Sequence, residues 1–222
     1  ISDYNAGQGS GEIGWAPIMG VGYYQNFTLG NNGPNSYGCT SYQSDLDIIT
    51  SATNGFGYRT DDYSNSFADA ATASFFDNQF NLSGVIERNT DQDMFMFTLP
   101  SNGRFQLDAI PYNVGSNNSG SDLDLQVTLY NASQTQLNVF NPGTLLSSVI
   151  DTNLNAGLYY LKIEGKGNQY APAYASLGSY SLLARATPGT TLAIRKLELR
   201  GASNGDKHDL SWTIEADETI TK

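Results

Sequence analysis

The sequence predicts a mainly β protein: an antiparallel β-sandwich, preceded by an irregular segment with one α-helix and followed by the opening strands of an immunoglobulin-like module. Three observations predict it. Between residues 80 and 185, apolar residues recur at every second position in successive runs, parted by "SNG", "NPG", "NAG" and "KGN" turn signals. Residues 1–66 are rich in glycine and tyrosine and hold a single stretch of helical period. After "TPGT" (187–190) two further alternating runs begin.

Taken in order, "GWAPIMGVGYY" (14–24) carries three glycines, a proline, a methionine and three aromatics with no charge, so it reads as a sharply bending apolar loop. "TSYQSDLDIITS" (40–51) has capping-box spacing at Thr40 and Gln43, and Tyr42, Leu46 and Ile49 recur at helical intervals; it predicts a helix of about three turns. One short helix cannot make a domain, so 1–66 reads as the rear of something larger. Residues 67–79 ("FADAATASFFDN" and Gln79) read as a linker, a short helix or extended chain.

The sandwich is placed at 80–187. "DMFMFTL" sets Phe95, Phe97 and Leu99 on one face, and "RFQLDAI" sets Phe105, Leu107 and Ala109 on one face. "DLDLQVTLY" alternates Leu123, Leu125, Val127 and Leu129 with Asp122, Asp124, Gln126 and Thr128. "LYYLKIEG" groups Tyr159, Leu161 and Ile163, and "GSYSLLAR" groups Tyr180, Leu182 and Ala184. The polar loop 112–122 is expected to be mobile. Residues 188–222 predict a hairpin turning at Asn204-Gly205, with Leu210, Trp212 and Ile214 on one face. Two strands are not stable alone, so this hairpin reads as the start of a further module.

Composition narrows the function. Eleven basic residues against 22 acidic ones give a net charge of -11, which excludes nucleic acid and anionic membrane surfaces as partners. No apolar run approaches the ~20 residues of a membrane span. There is no secretory signal at Ile1, so the chain is expected to be mature, internal or truncated. Cys39 is the only cysteine, so no intrachain disulfide forms. His208 is the only histidine; it cannot complete a zinc site or a Ser-His-Asp set, and the chain is expected to be inactive as given.

Calcium is the cofactor with positive support. "ERNTDQD" places oxygen donors at Glu87, Asn89, Asp91 and Asp93, every second position, and hard cations take six to eight oxygens. Asp122 and Asp124 form a second candidate pair, about 7 Å apart on one strand face, able to join the first group if the strands are neighbours. Solvent-facing acids at a strand end are the alternative reading. Tyr112, Tyr170 and Tyr174, near loops, read as locally packed rather than as platforms for sugar.

"GWAPIMGVGYY" followed by "DLDIIT" resembles the end of the catalytic domain in reprolysin-like zinc metalloproteases of the metzincin clan. The resemblance implies that Met19 forms the floor beneath zinc-binding histidines and that Tyr23 and Tyr24 line the substrate pocket. "SGVIERNTDQDMFMFTL", "DLDLQVTLY" and "LNAGLYYLKIEG" resemble a prepeptidase C-terminal domain, an accessory sandwich of secreted bacterial proteases. It implies calcium binding and a role in secretion, stability or contact with matrix protein or polysaccharide. The terminal strands resemble modules of type IX-secreted proteins, implying secretion or display on a Gram-negative surface. The chain departs from the clan in lacking H-E-x-x-H; zinc and the missing front half of the protease domain would belong to an intact parent. The alternative is a non-enzymatic adhesin or filament protein on a protease-derived scaffold.

Overall fold

In the computed structural model, residues 4–35, 38–115, 120–189 and 194–216 are described; the tip of the 112–122 loop and the side chain of Cys39 lie outside them. The chain forms two units, one running to Thr187 and one from Pro188.

The amino-terminal part of the first unit is mostly turns and loops, with four short strands set among them. β1 (Trp15–Pro17) and β2 (Phe27–Leu29) pair in parallel. β3 (Asn32–Asn35) and β4 (Gly38–Ser44) pair antiparallel and lead into α1 (Asp45–Thr50). The expected three-turn helix is thus corrected to six residues. Tyr42 and Gln43 face Pro34 and Gly33 in the ladder instead, and Ser44 is the N-cap, its hydroxyl accepting from the Asp47 N–H. The Thr/Ser/Tyr content before Ser44 favours a pleated ladder over a helix.

The sandwich follows. Its strands are β5 (Ala71–Thr72), β6 (Gln79–Ile86), β7 (Asp93–Leu99), β8 (Gly103–Pro111), β9 (Leu125–Asn131), β10 (Gln136–Phe140), β11 (Ser148–Leu154), β12 (Gly157–Gly165) and β13 (Gly178–Pro188). One sheet runs β10-β9-β12-β7-β5 and the other β11-β8-β13-β6, antiparallel except for β5 beside β7. Residues 67–79 are attached to it: β5 pairs with β7, and Phe67 packs edge-on against Tyr130 and Tyr160.

Between the sheets lie the rows the alternation marks out: Phe95, Phe97 and Leu99; Phe105, Leu107 and Ala109; Leu125, Val127 and Leu129; Leu161 and Ile163; Tyr180, Leu182 and Ala184. Phe97 stacks on Phe105 of the opposite sheet at 4.6 Å between ring centroids and on Tyr159 at 5.5 Å.

A second apolar cluster docks the amino-terminal lobe on one end of the sandwich. Ile13, Phe27 and Leu29 pack with Leu146, Ala171 and Ala175, joined by Trp15, Leu46, Tyr170 and Tyr174. Polar bonds follow the same seam: Gly120 N–H donates to Asn26 Oδ1 (2.6 Å), Leu146 N–H to Glu12 Oε1 (3.0 Å) and Leu46 N–H to the Tyr174 hydroxyl (2.8 Å). Tyr170 and Tyr174 are packed, as expected, whereas Tyr112 is exposed.

The second unit is a hairpin of β14 (Ile194–Asn204) and β15 (Lys207–Ala216). Its central residues are Gly205 and Asp206, one position later than the expected Asn-Gly, with Gly205 at φ +65 in the first central position. Leu197, Leu199, Leu210 and Trp212 are all exposed.

Phe97→Ala leaves a cavity where three rings meet, and is expected to lower the unfolding free energy by about 3–5 kcal/mol with an unchanged urea m-value, read from the denaturation midpoint.

Candidate cation site

A short turn between β6 and β7 gathers carboxylates. The inward row of β7 runs Asp93, Phe95, Phe97, Leu99, so period two places a carboxyl group at the end of the core. Asp93 is 0% exposed, and the Tyr180 hydroxyl donates to its Oδ2. Tyr180 pairs with Gly84 across the sheet, where an added Cβ would lie 2.4 Å from the tyrosine oxygen. Only glycine leaves that hydroxyl its place. In the turn, Asp91 N–H donates to the Arg88 carbonyl (3.0 Å) and Asp91 Oδ2 accepts from Glu87 N–H (2.9 Å).

The connector from the amino-terminal lobe supplies the other half. Tyr63 packs on Phe95 at 4.6 Å between centroids, and its hydroxyl donates to the Ser83 carbonyl (3.1 Å). Met94 N–H donates to the Ser64 carbonyl (3.1 Å), and Gln92 N–H to Asn65 Oδ1 (3.0 Å). These bonds hold Asp61 and Asp62 over the turn. Carboxylate oxygens of Asp61, Asp62 and Asp93 lie within 4.8 Å of one another, and so do those of Asp61, Glu87 and Asp91. Asp61 belongs to both groups.

Five acids are crowded here without visible compensation. Among the described residues none of them forms an ion pair with Lys or Arg. Glu87 Oε2, Asp91 Oδ1 and Asp93 Oδ1 are buried and accept no hydrogen bond. Burial, reinforced by Asp91 and Asp62, pushes Glu87 up to about 8. Burial pushes Asp93 up to about 8 against the Tyr180 hydrogen bond, helped by Asp91, Asp62 and Glu87. Asp62 is raised by burial, against backbone N–H donors that include Val85. An all-oxygen donor set with buried, unpartnered oxygens fits a hard cation of calcium's type, whereas zinc favours nitrogen and sulfur.

The other residues singled out by sequence lie elsewhere. Asn89 adjoins the turn, but its Oδ1 accepts from Ala175 N–H (2.8 Å). Asp122 and Asp124 are not brought to the cluster, and they precede β9 rather than lying on it. Asp122 Oδ1 accepts from Thr28 Oγ1 (2.6 Å). Asp124, expected to face solvent opposite the leucines, is 0% exposed. It ties three segments: its N–H donates to Ser176 Oγ (2.9 Å), its carbonyl accepts from Lys166 N–H (2.7 Å) and its Oδ2 from Asn168 (2.9 Å). Burial, against the Asn168 bond and with Glu12 as the charged neighbour, raises it to about 7. Asp61 and Asp62 were not singled out by sequence; their one signal is an acidic doublet two residues after Arg59 in a connector of otherwise uncharged residues.

The methionine turn is tight and outward-facing. Gly20 N–H bonds the Pro17 carbonyl (2.7 Å), and a Cβ on Gly20 would meet the Asn5 carbonyl oxygen at 2.4 Å. Met19, Tyr23 and Tyr24 are 80%, 90% and 89% exposed. His208 sits on β15, in the second unit.

No family model matches the sequence, and no curated protein matches it. Among solved structures the chain is similar to the pre-peptidase C-terminal domain of a collagenase from Bacillus anthracis, at 14% identity over 53% of this chain and 94% of that one, with a TM-score of 0.36. It is also similar to the CUB1-EGF-CUB2 domains of rat MASP-1, at 13% identity over 52% of this chain and 42% of that one, with a TM-score of 0.32. No helix among the described residues is long and apolar enough to cross a membrane.

The raised carboxyl groups set a pH dependence. Their folded values, about 8, exceed their ordinary 4.5 and 3.8, so the stability they lend is complete at low pH and is lost as pH rises through about 8. In chelator the urea midpoint is expected to fall over that window. In Asp93→Asn the fall shrinks, and what remains belongs to Glu87, Asp124 and Asp62.

Proposed function

We propose that this chain is a non-catalytic accessory portion of an extracellular protein, in which a calcium-bound β-sandwich carries the amino-terminal lobe. The observation that carries the reading is the cluster of Asp61, Asp62, Glu87, Asp91 and Asp93 with its unpartnered buried oxygens. Five negative charges sharing Asp61 call for two divalent ions rather than one. Asp61 and Asp62 are exposed, a geometry suited to the weak affinities of about 10⁻⁴–10⁻³ M found in extracellular modules. The ions would replace the protons that burial otherwise forces onto Glu87 and Asp93, and would fasten the connector to the sandwich.

The parent we propose is a secreted zinc metalloprotease. The support is the methionine turn and its exposed surface at Ile18, Met19, Tyr23 and Tyr24. In this reading Met19 lies beneath a zinc site whose ligands come from outside this chain, since the chain's one histidine, on β15, cannot supply it. Tyr23 and Tyr24 would flank the substrate. For 188–222, the exposed apolar face of the hairpin supports an unfinished module of a type IX-secreted protein.

Calcium is expected to raise the unfolding free energy at neutral pH by about 2.7 kcal/mol for each bound ion once its concentration is about 100 times Kd. Calorimetric titration should give two ions per chain. Asp61→Asn should abolish both the binding and the stabilisation, while Asp122→Asn leaves them unchanged; an unaltered response in Asp61→Asn would refute the shared-ligand site. For the parent, the coding sequence before Ile1 is expected to contain H-E-x-x-H within a few dozen residues. Its absence there favours the adhesin reading.

A further inference from the structure

Arg59 stands apart from every other basic residue. It is the only Lys or Arg among the first 87 residues of the chain. It lies in an exposed run, residues 52–62, between the amino-terminal lobe and the sandwich. Among the described residues, no backbone–backbone hydrogen bond involves residues 56–62, so no ladder ties this stretch to either sheet. Gly55 and Gly57 add left-handed kinks at φ +73 and +64. Seven of the other basic residues, Arg104, Lys162, Arg185, Arg195, Lys196, Arg200 and Lys207, lie in strands.

The run is held on both sides of Arg59. One residue before it, the Tyr58 ring lies under the Arg88 guanidinium at 5.2 Å. Two and three residues after it, Asp61 and Asp62 enter the carboxylate cluster. Both fastenings reach the same turn, because Arg88 adjoins Glu87 and Asp91 closes that turn.

We propose that Arg59–Thr60 is a cleavage site for an endopeptidase whose specificity pocket takes a basic side chain, and that cation binding by Asp61 and Asp62 controls its availability. The proposal rests on the calcium reading above. Such proteases bind substrate as an extended strand of several residues on each side of the bond, by main-chain pairing. With the cation bound, the chain beyond Thr60 is fixed to the sandwich and cannot enter a cleft. Without it, nothing bridges Asp61 and Asp62 to the acids of the turn, and the exposed connector is the partner free to leave. Cleavage is plain hydrolysis: water's hydroxyl goes to the Arg59 carbonyl carbon, its proton to the Thr60 nitrogen, and the C–N bond breaks. The cut lobe is then held only by the Ile13–Phe27–Leu29 cluster and its polar seam.

The test is limited digestion of the whole chain with trypsin, in calcium and in EDTA, with intact-mass detection of the piece ending at Arg59. Cleavage that follows local opening tracks the opening equilibrium. The Arg59 cut is expected to be at least about tenfold faster in EDTA, which corresponds to about 1.4 kcal/mol of added opening cost in calcium. Arg59→Gln should remove that cut, and an Asp61→Asn, Asp62→Asn pair should be cut at one rate in calcium and in EDTA. Calorimetric binding of calcium with no change in the Arg59 rate would overturn the control while leaving the cation site standing. No calcium binding at all would overturn both. A first cut in EDTA at Arg88 or Lys166 would overturn the choice of site.

Discussion

The placement of one carboxyl group organises this molecule. Asp93 begins the strand whose inward row continues through Phe95, Phe97 and Leu99, so the same alternation that builds the core drives an acid into its end. A lone buried carboxylate is too costly to keep without partners. The surroundings answer only part of that cost: Tyr180 donates to one oxygen and Gly84 makes room for the tyrosine, while the other oxygen accepts no hydrogen bond and the turn and connector bring further acids to the group. The β6–β7 turn, the path of the connector and the position of Asp61 all follow from this constraint.

Much of the sandwich was legible because one face of each main strand is dry and the other is not. β7, β8, β9, β12 and β13 all fall on runs that alternate cleanly in the sequence. β10 does not, since four of its five residues are exposed at a sheet edge and nothing forces an apolar row on them. β6 and β11 are harder to read because Gly84, Ser148 and Thr152 stand in their inward rows and Val85 and Val149 in their outward ones. The helix at 45–50 was overextended for a different reason. Tyr42, Leu46 and Ile49 fit a helical period, but Tyr42 is held by its ladder partner Pro34, a contact that local spacing cannot foresee.

The site divides along the same line between local and distant information. Glu87, Asp91 and Asp93 share one turn, and their alternation was enough to find them. Asp61 and Asp62 arrive from about two dozen residues upstream, through packing of Tyr63 on Phe95 and the Met94–Ser64 bond, and no spacing rule links them to the turn. Asp124 shows the converse failure. Its register between Leu123 and Leu125 is that of an outward residue, yet the segment carrying Lys166, Asn168 and Ser176 folds over it and turns it into a buried strut.

The amino-terminal lobe therefore meets the sandwich through two attachments of different physics. At the seam, Phe27, Ile13 and Leu29 are buried against Leu146 and Ala171, an association that depends on apolar area and little on pH or ions. At the connector, Asp61 and Asp62 face Glu87, Asp91 and Asp93, and with no basic residue paired to any of them among the described residues, the sign of the interaction depends on what neutralises the group. Protons do so at low pH, and in the proposed function a divalent cation does so above it. A chain with twice as many acids as bases has few internal cations to spare for the task. The connector's hold is thus set by the medium while the seam's hold is set by the sequence, which allows one junction to loosen without the lobe departing.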